Sequence, residues 1–264
     1  MLLQGSYDGS SFLDLLCHDF PNLLPFQYLQ QLSPGAINLA ESVPFATTIL
    51  TLRYAEGIIV AGDRQATEGF EVSSRRIEKV YNADAYSVIS IAGAAGPCIE
   101  MVKLFQFELA HYQKIAGDPL TLEGKANRLA HMVKQNLPAA FQGLIVIPIF
   151  AGYDFHTNQG RIFKYDVTGG RYEEQDFFAT GSGGKEARST LKKGFEMDMN
   201  RNEALHLALE ALVDAADLDV GTAGPDLARG IYPSVKVVTK DGIADVRDEE
   251  LRSFSAELLA ALKG

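Results

Sequence analysis

The sequence holds 264 residues, 47% hydrophobic and 22% charged, with 24 Lys and Arg against 34 Asp and Glu for a formal net charge of -10. That length and mix suit one globular domain with a sizeable core and exclude a disordered, collagen-like or low-complexity chain. The acidic excess argues against nucleic acid as a partner. Cys17 and Cys98 form no CxxC pair and no disulfide framework, so neither a metal site nor a redox motif is expected.

Residues 1–46 contain no Lys or Arg, only Asp8, Asp14, Asp19 and Glu41 among the charged residues. A secretory signal needs a basic segment and a transit peptide needs arginines, so neither is expected. No run reaches the roughly 18 apolar residues of a membrane helix. The expected location is the cytoplasm, away from membranes.

In chain order, Ser10 to Leu16 reads as a short capped amphipathic helix, and Pro21, Pro25 and Pro34 punctuate the stretch after it. After Pro44 the texture turns to strands: Thr47 to Leu52, Ile58 to Gly62, Ile77 to Tyr81 and Tyr86 to Ala92. Helical spacing comes next over Cys98 to Ile115, then from an Asp118 cap with Pro119 at the first helical position through Leu137. Leu144 to Phe150 reads as a buried strand whose Pro148 predicts an edge or a bulge. Gly160 to Val167 and Tyr172 to Ala179 read as a hairpin about Gly169-Gly170, followed by helices over Lys185 to Met197 and Glu203 to Ala216. A strand over Ser234 to Val238 and a helix over Glu249 to Leu262 complete the chain. Strands, two helices, strands, two helices, strand is not the alternation of a parallel doubly wound fold. It predicts two antiparallel sheets packed together with helix pairs outside.

Some familiar motifs fail. Thr180 to Lys185 suggests a phosphate loop, but Ala179 stands where the first Gly belongs and Glu186 where Ser or Thr belongs. The nucleophile elbow fails because Thr180 replaces its first Gly. His18, His111, His131, His156 and His206 are scattered singly, with no metal-binding spacing.

What remains is Thr47-Thr48 opening the first core strand behind a basic-free leader, then Gly62-Asp63-Arg64, then Lys79. Thr-Thr-Ile alone is an ordinary strand opening. The combination is more specific. With Ala46-Thr47-Thr48-Ile49, Ala61-Gly62-Asp63-Arg64, Ile91-Ala92-Gly93, Gly181-Ser182-Gly183 and Gly224-Pro225-Asp226-Leu227, the chain resembles the β subunits of the 20S proteasome, most closely the actinobacterial type. Ser10 to Asp14 and Leu23-Leu24-Pro25 resemble that family's propeptide.

The resemblance implies an α+β fold, the four-layer αββα sandwich of N-terminal nucleophile hydrolases, with residues 1–46 a propeptide removed by self-cleavage between Ala46 and Thr47 and residues 47–264 a single catalytic domain. It implies a threonine endopeptidase without cofactor or metal. Thr47 would be the nucleophile and its own α-amine the base, a group that titrates near about 8 and exists only after the leader is gone. Lys79 would lower the proton affinity of that amine and hydroxyl, and Asp63 would pair with Lys79 and orient it. Asp63 and Lys79 lie 16 and 32 residues past Thr47, at the matching family positions. Ser182, Asp219 and Thr222 match residues that hydrogen-bond the Thr amine and its water, with Thr222 where many members carry Ser and Ala223 where Gly is usual. The Gly93 N–H would face the developing oxyanion. Gln65 stands where many members carry Arg, so a hydrogen bond that positions the C-terminal active-site loop is expected to be lost.

The resemblance also places Ala66, Ile77, Ile91 and Ala95 around the pocket beside Thr47, with Tyr81 at its floor and the Thr67 and Gly93 backbones gripping an extended substrate. Expected partners are proteasome α subunits and further β subunits in four stacked seven-membered rings, α-β-β-α, fed by a ring-shaped ATPase. Two rivals stand beside this reading. One is the simpler bacterial two-ring threonine protease, disfavoured by the leader and the C-terminal half. The other is a non-catalytic ring subunit, disfavoured because Thr47, Asp63 and Lys79 are all present.

Overall fold

The computed structural model of the chain describes residues 11–23, 47–68 and 71–261. Twelve strands lie among them: β1 Thr48–Tyr54, β2 Gly57–Gly62, β3 Ala66–Glu68, β4 Glu71–Ser74, β5 Val80–Asn82, β6 Ser87–Gly93, β7 Val146–Asp154, β8 Gln159–Tyr165, β9 Arg171–Glu174, β10 Phe177–Gly181, β11 Ser234–Thr239 and β12 Gly242–Asp245. The helices are α1 Phe12–Asp19, α2 Ala95–Ala116, α3 Leu122–Gln135, α4 Leu137–Ala140, α5 Gly184–Gly194, α6 Arg201–Leu218 and α7 Asp248–Ala261. Two five-stranded sheets run β10-β1-β2-β11-β12 and β5-β6-β7-β8-β9, every pair antiparallel, and β3–β4 forms a separate ribbon.

The two sheets face one another, and strand periodicity sorts their side chains. Ile49, Ile58, Val60, Val88, Ala92, Ile149, Ala151 and Ile162 fill the space between sheets. Their alternate neighbours point outward: Leu50, Leu52 and Ile59 pack against Leu205, Leu209 and Leu212 of α6, and Ile89, Phe150 and Phe163 against Phe105 of α2 and Leu129 and Met132 of α3. Each central strand is therefore buried on both faces, which is why these segments read as apolar runs rather than as alternating patterns. The short helix expected at Ser10 to Leu16 runs from Phe12 to Asp19, with Ser10 outside the described residues. It rests on α2 through buried Leu16 and through Phe12, whose ring centroid lies 5.3 Å from that of His111. No helix among the described residues is long and apolar enough to cross a membrane.

Several expectations are corrected. The Gly169-Gly170 hairpin holds only between β8 and β9; the rest of its second arm leaves as β10 and pairs with β1 in the other sheet, Thr51 opposite Phe178. Asp118-Pro119 does not cap a helix. Thr121 does, its hydroxyl accepting the Gly124 N–H at 3.1 Å. Pro148 marks neither edge nor bulge, because β7 lies between β6 and β8 in unbroken register with Ile91 opposite Pro148. The Ile91 N–H donates away from β7, to Lys79 O, so the N–H that Pro148 lacks faces away from β6 as well. The β7–β8 ladder starts one residue later, at Ile149. The proline thus stands just past the end of that ladder, on the side to which its missing N–H would point.

This packing has two measurable consequences. Phe150 is fully buried, its ring edge-on to Phe105 at 5.6 Å and stacked on Phe163 at 6.2 Å. Phe150→Ala should lower unfolding free energy by about 3–5 kcal/mol, read as a lower urea midpoint at unchanged slope. Tyr54 has its phenol pushed up to about 12, by burial first and by Glu56 second. The neutral phenol is favoured in the folded chain, so its contribution to stability is complete below about pH 10, the ordinary tyrosine value, and is lost as the pH rises through about 12. The difference between wild-type and Tyr54→Phe absorbance titrations should have its midpoint near 12; a midpoint near 10 would contradict the burial assigned here.

Candidate active site

Thr47 sits directly before β1 and is 6% exposed. Its carbonyl accepts the Ser182 N–H at 2.9 Å, which pins it to the loop after β10. That approach requires glycine next door. Gly181 has φ +104°, and a Cβ there would lie 1.8 Å from Thr47 O.

Asp63 and Lys79 meet beside Thr48, and Lys79 lines the same pocket as Thr47. Lys79 Nζ donates to Asp63 Oδ1 at 2.6 Å, with the side chains 3% and 0% exposed. Burying a charge is tolerated only when its lone pairs and protons are satisfied. Asp63 meets that condition with four donors: Lys79 Nζ and the Thr48 N–H (2.8 Å) on Oδ1, and the N–H groups of Gln65 (2.9 Å) and Ala223 (3.3 Å) on Oδ2. Burial lowers the Lys79 pKa below that of an exposed lysine, and the charge and hydrogen bond of Asp63, then the charge of Asp219, work against that shift.

Ser182, Asp219 and Thr222 form a second group, joined to Thr47 through the Ser182 contact with Thr47 O. The Ser182 and Thr222 hydroxyls both donate to Asp219 Oδ2 at 2.5 Å, and the Gly221 N–H donates to Oδ1 at 3.1 Å. The Gln65 expectation is overturned. Its side-chain Nε2 donates to Val220 O at 2.9 Å, so the hydrogen bond to this loop is made by an amide in place of a guanidinium. The Ala223 departure is silent at this contact, because only its main-chain N–H is used.

A pocket opens beside Thr47, lined by all four predicted residues, Ala66, Ile77, Ile91 and Ala95, and by Lys79, Tyr81 and Gly93. Gly93 ends β6 with φ +127°, and a Cβ would lie 2.0 Å from Ile145 O. Thr67 is not in the lining; it pairs with Val72 in the β3–β4 ribbon. Sequence reasoning misses three lining residues, Glu78, Cys98 and Ile99. Cys98 and Ile99 carry a signal: they belong to the first turns of α2, which begins at Ala95 just after Gly93, ahead of the Cys98 start expected from spacing. Glu78 places a carboxylate at the pocket, where its oxygens face the Val80 N–H at 3.3 Å and Arg64 at 3.6 Å. Burial pushes the Cys98 thiol up, which keeps it protonated. Among the described residues no group of His, Cys, Asp and Glu is arranged to hold a metal ion.

Thr48 reads from sequence only as a strand former. In the structure its N–H contacts Asp63 and its hydroxyl contacts Thr222 and Gly183, so it joins the two groups. Ala46 and the leader residues Leu24 and Pro25 lie outside the described residues.

Comparison with known proteins identifies the family. The family model described as "Proteasome subunit" matches residues 43–226. A "Proteasome subunit beta" of Acidimicrobium ferrooxidans is 48% identical over 255 residues, covering 97% of this chain and 91% of the relative. Proteins of the same description from Stackebrandtia nassauensis and Streptomyces griseus are 49% and 47% identical, covering 96% and 95% of this chain and 91% and 88% of theirs. A match of that length, reaching from before Thr47 through both groups around it, means that the chain belongs to the proteasome subunit family and, within it, to the β type.

Proposed function

We propose that this chain is a catalytic β subunit, a threonine endopeptidase that works inside a barrel of α and β rings in the cytoplasm. Residues 1–46 are its removable leader, and residues 47–264 form one N-terminal nucleophile hydrolase domain of four layers, αββα. The observation that carries the reading is the position of Thr47. It lines an apolar pocket together with Lys79 of the buried Lys79–Asp63 pair, and its carbonyl is held by Ser182 of the Ser182–Asp219–Thr222 group.

Once Thr47 is N-terminal, its α-amine takes the hydroxyl proton as Oγ1 attacks the substrate carbonyl carbon. The C=O π bond opens to an oxyanion, for which the Gly93 N–H is the donor, an interaction worth about 3 kcal/mol in comparable sites. The ammonium then protonates the leaving amine, the C–N bond breaks and an ester remains on Thr47. Water, deprotonated by the same amine, hydrolyses the ester and restores the site. Lys79 disfavours the protonated amine by charge. Its own proton is held loosely for a lysine, because burial works against the cation. Asp63 fixes where that charge sits. Ser182 and Asp219 orient the amine and the water. In self-cleavage the same hydroxyl attacks the Ala46 carbonyl carbon, its proton ends on the Thr47 nitrogen as the C–N bond breaks, and water hydrolyses the ester so formed. Assembly with α subunits and delivery of substrate by a ring-shaped ATPase complete the proposal.

Thr47→Ala, co-expressed with an α-subunit partner, should leave the chain full length by intact mass and reduce peptide turnover at least about a thousandfold. Lys79→Ala should behave nearly the same. Normal turnover by a Lys79→Ala complex whose Thr47 is free would show that the lysine only supports the fold.

The pocket sets a preference for the residue before the cut. Ala66, Ile77, Ile91, Ala95 and Ile99 give it apolar walls, and the one carboxylate in the lining, Glu78, already faces the Val80 N–H and the Arg64 guanidinium. Burying a large apolar side chain gains about 1.5–3 kcal/mol, and an unpaired lysine is penalised. Fluorogenic peptides differing only at that residue should give higher kcat/KM for Leu, Tyr or Phe than for Arg or Lys. A tenfold or greater preference for Arg would overturn the pocket assignment.

A further inference from the structure

Thr48 is fully buried and every polar group it carries is used. Its N–H donates to Asp63 Oδ1 at 2.8 Å and its carbonyl accepts the Asp63 N–H at 3.1 Å. Its hydroxyl oxygen accepts the Gly183 N–H at 2.9 Å and lies 2.6 Å from the Thr222 hydroxyl oxygen. Counting protons fixes the direction of that last bond. A hydroxyl has one proton to give, and Thr222 gives its own to Asp219 Oδ2 at 2.5 Å. Thr48 is therefore the donor and Thr222 the acceptor. One chain of bonds results, from the Gly183 N–H at the start of α5 through the Thr48 and Thr222 hydroxyls to the Asp219 carboxylate, which also receives Ser182. Bonds aligned in one direction polarise and strengthen one another. The space is filled as well: a Cβ on Gly183 would lie 2.8 Å from the Thr48 and 2.9 Å from the Thr222 hydroxyl oxygen.

We infer that Thr48 is a positioning residue of the active site, locking the Asp63–Lys79 pair and the Ser182–Asp219–Thr222 group into one register around Thr47. The inference rests on the function proposed above. Thr48 acts through Asp63 and Thr222 and has no part in bond making. Its main-chain N–H survives any substitution but proline, so the hydroxyl is the separable half of the device. Without it the Gly183 N–H loses its acceptor, and the Thr222 hydroxyl loses the donor that aims it at Asp219. A strand-forming role alone would be served as well by valine, which is isosteric with threonine and at least as good in β-structure.

The test compares Thr48→Val, Thr48→Ser and wild type, each as the full chain co-expressed with the α-subunit partner. The readouts are intact mass for leader removal, and kcat and KM on one apolar fluorogenic peptide. Thr48→Val should lower kcat about ten- to hundredfold and slow leader removal while KM stays within about twofold, the signature of misaimed groups around an intact pocket. Thr48→Ser should restore kcat to near the wild-type value. Wild-type kcat in Thr48→Val, or an equal loss in Thr48→Ser, overturns the inference. If Thr48→Val does not assemble, Thr48→Cys takes its place, with a thiol that is a weak donor of similar size; a lowered kcat at constant KM supports the inference and a wild-type kcat overturns it. A wild-type complex that bears free Thr47 and yet cleaves no peptide removes the functional reading and this inference with it. An active wild type beside an unaffected Thr48→Val removes the inference alone.

Discussion

A lysine ammonium buried between two sheets can persist only where a carboxylate meets it and where that carboxylate is itself fully bonded. The Lys79–Asp63 contact at 2.6 Å is that case, and the rest of the site is arranged to maintain it. The donors to Asp63 come from separate parts of the chain: Thr48 in β1, Gln65 after β2, Lys79 before β5 and Ala223 in the loop after α6. One carboxylate therefore ties the first sheet, the second sheet and the C-terminal loop together at the residue next to Thr47. Both sheets are locked against each other by apolar side chains, so none of these donors can drift without disturbing the core.

The same arrangement explains why the backbone around Thr47 is so confined. Gly181 and Gly93 adopt left-handed φ values of +104° and +127°, and each lies where a Cβ would strike a carbonyl oxygen, Thr47 O in one case and Ile145 O in the other. Ser182 then grips the Thr47 carbonyl from the loop side. Main-chain contacts of this kind fix the position of Thr47, the residue proposed as the nucleophile. Asp219 and Thr222 belong to a loop that Gln65 holds through Val220 O, so the Ser182–Asp219–Thr222 group is coupled to the Lys79–Asp63 pair.

Much of this is legible in the sequence, for identifiable reasons. Strands such as β2 and β7 announce themselves because burial on two faces demands unbroken apolar runs. The residues Thr47, Asp63, Lys79, Ser182, Asp219 and Thr222 stand out through family resemblance; spacing alone makes Thr-Thr-Ile a strand opening and Gly-Ser-Gly a turn. What escapes is non-local. The exit of β10 to the other sheet depends on pairing with β1, more than a hundred residues away, whereas Gly169-Gly170 reports only the local turn. Pro148 misleads because its tolerance rests on which side of β7 its missing N–H faces. Gln65 misleads because an amide reaches the carbonyl that arginine was expected to hold. Thr48 is hidden in plain sight, since a β-branched residue at a strand start already has an ordinary explanation.

The central claim is that a free Thr47 amine is the catalytic base, and the direct test counts such amines against activity. Complexes sampled during maturation should be scored by intact mass for the fraction of chains beginning at Thr47, and by turnover of one apolar peptide. Turnover should rise in proportion to that fraction and extrapolate to zero at zero free Thr47. Undiminished turnover from a complex in which no chain begins at Thr47 would contradict the account.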